Sequence, residues 1–146
     1  VGVHAFHRAI NRVEPSFIRV EADEVTYNLH ILMRFELEVA LIEGSLAVRD
    51  LPEAWNEKSR AYLGIVPPDD AQGCLQDVHW SAGLFGYFPT YSIGTILSAQ
   101  LFEKAQAEVP SLDDDLIKGE YASLLAWLRE KVHRPGRRYL PGELIE

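Results

Sequence analysis

Between Gly73 and Tyr91 the chain places a carboxamide (Gln76), a carboxylate (Asp77), an imidazole (His79), an indole (Trp80) and two phenols (Tyr87, Tyr91) among glycines and a proline. This is the composition of a ligand-facing loop that runs into a helix. An imidazole so placed can donate to a developing oxyanion or to a substrate carbonyl. Asp77 and Gln76 are close enough in sequence to orient it, and in an extended segment Asp77 and His79 would point the same way. Trp80 offers an apolar wall. The same residues fit a buried hydrogen-bonded turn equally well. Tyr87 and Tyr91, four apart at a helix start, share a face and can present two phenols to one cavity; a core tyrosine pair is the competing arrangement. Arg19 lies between Ile18 and Val20. It either pairs with Glu21 or Asp23, the commoner arrangement, or faces a cleft and binds a carboxylate, which its planar fork suits.

Other reactive groups are poorly accompanied. There is no nucleophile-plus-base motif, no phosphate-binding glycine loop and no His-Glu-x-x-His. His4 and His7 can share a helix face, but no carboxylate is placed as a third ligand. His30 falls in an apolar helix and reads as a hydrogen-bonded core histidine. His133 lies among Arg129, Lys131, Arg134, Arg137 and Arg138, a basic cluster that reads as a solvated or interface face. Cys74 has no base beside it and is a poor nucleophile candidate.

The elements that must position these groups are predicted to be helical. Val3, Phe6, Ile10 and Val13 recur at helical spacing, and Pro15 requires the helix to stop before it. Residues 17–21 alternate and predict a short strand or extended connector. Asp23 to Gly44 predicts a helix of about six turns, apolar nearly all round and therefore central and largely buried. Asp50-Leu51-Pro52-Glu53 resembles a capping box opening a helix that ends near Gly64. A long helix begins around Pro89, with Ile93, Ile96, Leu97, Leu101 and Phe102 on one face, and fades after Ala107. Gly94 inside it implies close packing or a hinge. A last helix carries Leu124, Leu125, Trp127, Leu128 and Val132 and breaks at Pro135-Gly136.

With 146 residues and 47% hydrophobic content, one folded domain with a real core is expected. A net charge of -8 disfavours general binding to nucleic acid or to an anionic membrane. One cysteine excludes an internal disulfide, and no apolar run of about 18 residues or more is present, so the chain reads as soluble and intracellular. It opens at Val1 directly into a periodic segment, as a piece cut from something longer would.

Two stretches carry a resemblance. Ile18-Arg19-Val20-Glu21-Ala22-Asp23 is similar to the Ile/Val-Arg-x-x-Ala-Asp motif of the carboxypeptidase Taq family of zinc metallocarboxypeptidases, and Gly73 to Trp80 fits its Gly-x-x-Gln-Asp-x-His-Trp motif. The runs Glu24 to His30, Leu51 to Asn56 and Gly86 to Tyr91 look equally typical, so the resemblance covers nearly the whole chain. It implies a mainly α fold, the helical C-terminal portion of a zincin-like metallopeptidase with a central groove. It also implies a cytoplasmic protein and commonly a homodimer. The family's His-Glu-x-x-His helix and its further glutamate ligand lie upstream of the point where this chain begins, so zinc or another divalent metal would be held elsewhere and this piece alone would be inactive. The implied reaction is hydrolysis of the C-terminal residue from a peptide with a free carboxylate.

Within that reaction the resemblance makes Tyr91 the first candidate for an oxyanion donor, with Tyr87 the alternate, and has His79 assist the oxyanion or hold the peptide backbone. Arg19 is the candidate for the terminal carboxylate, with the basic cluster near Arg137 competing, and Gln76, Asp77, Trp80 and Tyr87 complete the substrate wall. Two other functions suit the same residues. One is a stand-alone noncatalytic helical module for peptide binding or dimerisation; the other is a helical scaffold with His79 and Tyr91 buried in packing.

Overall fold

The computed structural model describes residues 1–144 and consists of helices and turns; among the described residues no strand occurs. The helices are α1 (Val3–Ile10), α2 (Glu24–Ile42), α3 (Leu51–Leu63), α4 (Pro89–Glu108), α5 (Leu112–Lys118), α6 (Ala122–Leu128) and α7 (Pro141–Leu144). The mainly α expectation therefore holds. Among the described residues no helix is long and apolar enough to cross a membrane. The chain forms two compact units, Val1–Ser92 and a second beginning at Ile93, so the division falls inside α4.

In the first unit α2 packs on α3. Met33 and Leu37 meet Trp55, Leu63 and Cys74, with Leu29, Leu51 and Trp80 packed around them. Truncating a buried tryptophan typically costs about 3–5 kcal/mol, which sets the scale of this packing. Asp23 caps α2 as expected: its carboxylate accepts from the backbone N–H of Val25 and Thr26, each at 2.9 Å. Gly64 closes α3 with φ +72°, a conformation that favours glycine.

Several sequence expectations need correction. Residues 17–21 do not form a strand: Glu21 and Ala22 donate to the carbonyls of Ile18 and Arg19, which closes a 3-10 turn over Arg19–Glu21. The expected capping box of α3 does not form. Asp50 already has helical geometry at the end of a 3-10 turn, Val48–Asp50, and its side chain makes no cap hydrogen bond. Gly94 is not a close-packing glycine, because a Cβ there would meet nothing within 4 Å.

The largest correction concerns α2, which is buried on one side only. Val25, Leu32, Phe35, Val39 and Ile42 are exposed, whereas Thr26, His30, Arg34 and Glu38 are buried. Those four recur every fourth residue and so form one stripe. The helix thus turns a polar stripe inward beside Met33 and Leu37.

In the second unit Ala105, Leu112 and Trp127 form the core, with Leu101, Val109, Leu116, Leu124, Leu128 and Val132 packed on it. The acidic run Asp113 to Asp115 is the first turn of α5, where carboxylates suit the helix dipole. Asp115 accepts from the hydroxyls of Ser123 (2.6 Å) and Ser111 (2.9 Å), which ties α5 to the start of α6. Beyond α6 the chain continues as a π-helical turn, Arg129–His133.

Candidate active site

The loop from Gly73 to Leu84 is built from turns, not from an extended segment. Leu75 donates to Asp70 O (2.9 Å), Gln76 to Gly73 O (3.2 Å) and Leu84 to His79 O (2.8 Å). Gly73 is favoured by crowding, since a Cβ would come within 3.1 Å of Asp69 O and 3.3 Å of Pro67 Cγ and these neighbours would have to give way by a few tenths of an ångström. Asp77 and His79 therefore do not owe their proximity to strand alternation.

The two sequence motifs meet here. Gln76 Oε1 accepts from the backbone N–H of Arg19 (2.9 Å), and its amide donates to the carbonyls of Phe17 (2.9 Å) and Gln72 (2.8 Å). Asp77 Oδ1 accepts from Arg19 Nε (3.0 Å) and Nη2 (2.7 Å). Asp77 Oδ2 accepts from Arg34 Nε (2.6 Å). One carboxylate thus serves two guanidiniums, with side-chain exposures of 11% for Asp77, 7% for Arg19 and 0% for Arg34. Burial alone would raise the Asp77 carboxyl, but hydrogen bonds and charge from Arg19 and Arg34 outweigh it and hold it below the usual range. Burial pushes the Arg34 guanidinium down to about 10, partly offset by Asp77, so it remains cationic at neutral pH.

Arg19 is engaged on three nitrogens, the third being Nη1, which donates to Tyr27 Oη at 2.9 Å. It lies 5.0 Å from the centre of the Tyr91 ring. Arg34 donates from Nη1 to His30 O (2.8 Å) and stacks 4.5 Å over the Trp55 ring. Trp80 donates from Nε1 to Glu38 Oε1 (2.9 Å) and meets Trp55 edge-on, which fastens the loop to α2.

His79 is buried, and its Nε2 lies 2.9 Å from Tyr91 Oη. Its ring sits 4.4 Å from that of buried Phe88 and 5.5 Å from that of Tyr87. Tyr87 precedes α4 and is exposed, and its ring is also 5.5 Å from that of Tyr91. An imidazole and a phenol in hydrogen-bond contact, with a second phenol beside them, can supply two donors to one oxygen that gains negative charge.

A model of the Carboxypeptidase Taq (M32) metallopeptidase family matches residues 1–146. The chain belongs to this family. It is 55% identical over 146 residues to Thermostable carboxypeptidase 1 of Thermus thermophilus and 49% identical to Carboxypeptidase 1 of Bacillus subtilis; each match covers 100% of this chain and 29% of the relative. A crystal structure of the M32 carboxypeptidase from Deinococcus radiodurans R1 superposes with a TM-score of 0.94 at 49% identity, covering 100% of this chain and 30% of that one. This M32 chain therefore spans less than a third of the length of those relatives.

The metal that the family name implies has no fitting donor set here. Among the described residues no group of three or more His, Cys, Asp and Glu side chains could hold a metal ion. His4 and His7 are exposed on α1, and the basic residues Arg129 to Arg138 are exposed in the second unit.

Sequence reasoning missed Arg34, Tyr27 and Phe88. For Arg34 the signal was present: His30, Arg34 and Glu38 place three polar groups on one face of an otherwise apolar helix. His30 is held neutral, its pKa lowered from 6.5 to about 4 by burial first and then by the charge of Arg34. The unfolded chain binds this proton more tightly, so stability is greatest above pH 6.5 and falls as the pH drops toward 4. The loss expected from this group is about 3 kcal/mol. Urea midpoints between those limits should fall less steeply in His30→Gln than in the parent; parallel slopes would show that His30 titrates normally.

Proposed function

We propose that this M32 chain is the C-terminal, substrate-wall portion of a metal-dependent carboxypeptidase that hydrolyses the last residue from peptides. The observation that carries this reading is the His79 Nε2 to Tyr91 Oη contact of 2.9 Å at the meeting point of the two sequence motifs. A zinc or other divalent ion, held by residues outside this chain, would polarise the scissile carbonyl. Tyr91 donates its phenolic hydrogen to the oxyanion, and His79 supports the phenol and the peptide backbone. Tyr87, the exposed member of the set, contacts substrate. A homodimer and a cytoplasmic location go with this reading.

Arg19, Gln76, Asp77 and Trp80 shape the wall from behind. Their polar groups are already hydrogen-bonded to one another, to the 17–19 backbone, to Tyr27 and to α2. Capture of a substrate carboxylate by Arg19 requires it to give up a contact to Asp77 or Tyr27.

The test is a chimera of Bacillus subtilis Carboxypeptidase 1 in which residues 1–146 replace the matching segment, which is 49% identical. With divalent metal present it should release C-terminal residues from free peptides and not from C-terminally amidated ones. Peptide binding without hydrolysis, in a chimera that folds and takes up metal, would favour the noncatalytic module. In the same background Arg19→Ala separates its two roles: selective loss on free-carboxylate peptides marks a substrate contact, and equal loss on amidated peptides marks the ion pair.

A further inference from the structure

An imidazole has two neutral tautomers, and a hydrogen bond at one nitrogen fixes what the other can do. His79 Nε2 faces Tyr91 Oη at 2.9 Å. His79 Nδ1 is buried and, among the described residues, has no hydrogen-bond partner. The carboxylate oxygen beside it, Asp77 Oδ1, is 3.8 Å away, beyond hydrogen-bond reach.

An aspartate this close to a histidine would ordinarily accept the Nδ1 hydrogen and fix that tautomer, as in a catalytic triad. Here the carboxylate is turned to other donors. Oδ1 takes two N–H groups of Arg19, and Oδ2 takes Arg34 Nε at 2.6 Å. With no acceptor within hydrogen-bond reach, an N–H on buried Nδ1 would be an unpaired donor, which favours a lone pair there and the proton on Nε2, where Tyr91 Oη can accept it.

We propose that Arg34 is a positioning residue: by holding Oδ2 while Arg19 holds Oδ1, it stops the Asp77 carboxylate from turning onto Nδ1 and so keeps the His79 proton on Nε2. The direction of the bond to Tyr91 follows. With the proton on Nε2, the phenol oxygen accepts from His79 and its own hydrogen is directed elsewhere. With the proton on Nδ1, the phenol must donate to Nε2 and is lost to an oxyanion. Arg34 suits this task because its guanidinium is held from several sides. It is fully buried, stacked 4.5 Å over Trp55 and tied to His30 O at 2.8 Å. Its catalytic consequence rests on the role given to Tyr91 above; the tautomer itself does not.

The experiment is 15N spectroscopy of the chimera labelled at histidine, with kcat and KM measured in parallel. The parent should show protonated Nε2 and bare Nδ1 for His79, assigned by its loss in His79→Gln. In Arg34→Gln the carboxylate loses its tie at Oδ2 and can turn toward Nδ1 while Arg19 still holds Oδ1; it should draw the proton to Nδ1, and kcat should fall about 10-fold or more with KM little changed. Adding Asp77→Asn to that variant supplies an amide donor to Nδ1, and should return the proton to Nε2 and recover much of kcat. A parent with protonated Nδ1, or an Arg34→Gln variant with an unchanged tautomer, overturns the proposal. A shifted tautomer with unchanged kcat supports Arg34 as the control and overturns Tyr91 as the donor. Should Arg34→Gln not fold, the parent spectrum decides alone: protonated Nε2 supports the proposal and protonated Nδ1 overturns it.

Discussion

Tyr91→Phe in the chimera should lower kcat by about 100-fold or more while leaving KM within about threefold. The change is confined to one oxygen. The Tyr91 ring is held by edge contact with Tyr87 at 5.5 Å and Tyr27 at 6.4 Å, and by Arg19 at 5.0 Å from its centre. Phenylalanine keeps those contacts, so the substrate wall retains its shape. What is lost is a donor whose value grows as charge develops on the scissile oxygen, and such a loss appears in kcat. A 100-fold loss corresponds to about 2.7 kcal/mol on the barrier. Because Tyr91 and His79 share one hydrogen bond, removing both should cost little more than removing the worse of the two. Tyr87→Phe, at an exposed ring, should cost less than Tyr91→Phe. An unchanged kcat in Tyr91→Phe would remove this residue from the oxyanion role. A raised KM with normal kcat would make it a ground-state contact.

Much of this site was legible in the sequence because its parts are local. Asp23 as the cap of α2, Gly64 as the stop of α3 and Pro89 as the start of α4 each act through the backbone within a few residues, and all three hold. The loop from Gly73 to Trp80 was legible as a chemical composition. Its conformation was not, because a chain of turns and a strand can carry the same residues, and crowding at Gly73 involves Asp69 and Pro67 rather than a residue pattern. Least legible was the pairing across 57 and 58 residues that joins Gln76 and Asp77 to Arg19. No periodicity encodes such a partner. Apolar periodicity misled for α2, where the burial of His30, Arg34 and Glu38 depends on the one carboxylate and one indole that the distant loop brings to them. Counting hydrophobic residues gives the wrong face when the buried face is satisfied by ion pairs.

That dependence makes Asp77 the residue whose loss should harm the fold most. Asp77→Ala leaves two guanidiniums, exposed by 7% and 0%, without their shared carboxylate. Breaking one buried pair costs about 3–5 kcal/mol, mainly as the penalty of an uncompensated charge. With two pairs broken, a loss of about 4 kcal/mol or more is expected against a total domain stability of about 5–15 kcal/mol. Asp77→Asn keeps an acceptor and loses the charge, so its cost should be about half as large. The decisive comparison is Arg19→Met/Arg34→Met/Asp77→Leu, which removes all three charges and fills the space with apolar side chains. If unpaired charge is the cause, the triple variant should be more stable than Asp77→Ala in urea, although it has lost more native contacts. The parent should also lose this contribution in acid. The folded Asp77 carboxyl lies below its ordinary 3.8, so the stabilisation is complete above that value and disappears as the pH falls through the lowered one. A loss under about 1 kcal/mol in Asp77→Ala would mean that both guanidiniums reach water once the carboxylate is gone, as in an exposed pair. The tie between the two motifs would then contribute to the geometry of His79 and little to the stability of the fold.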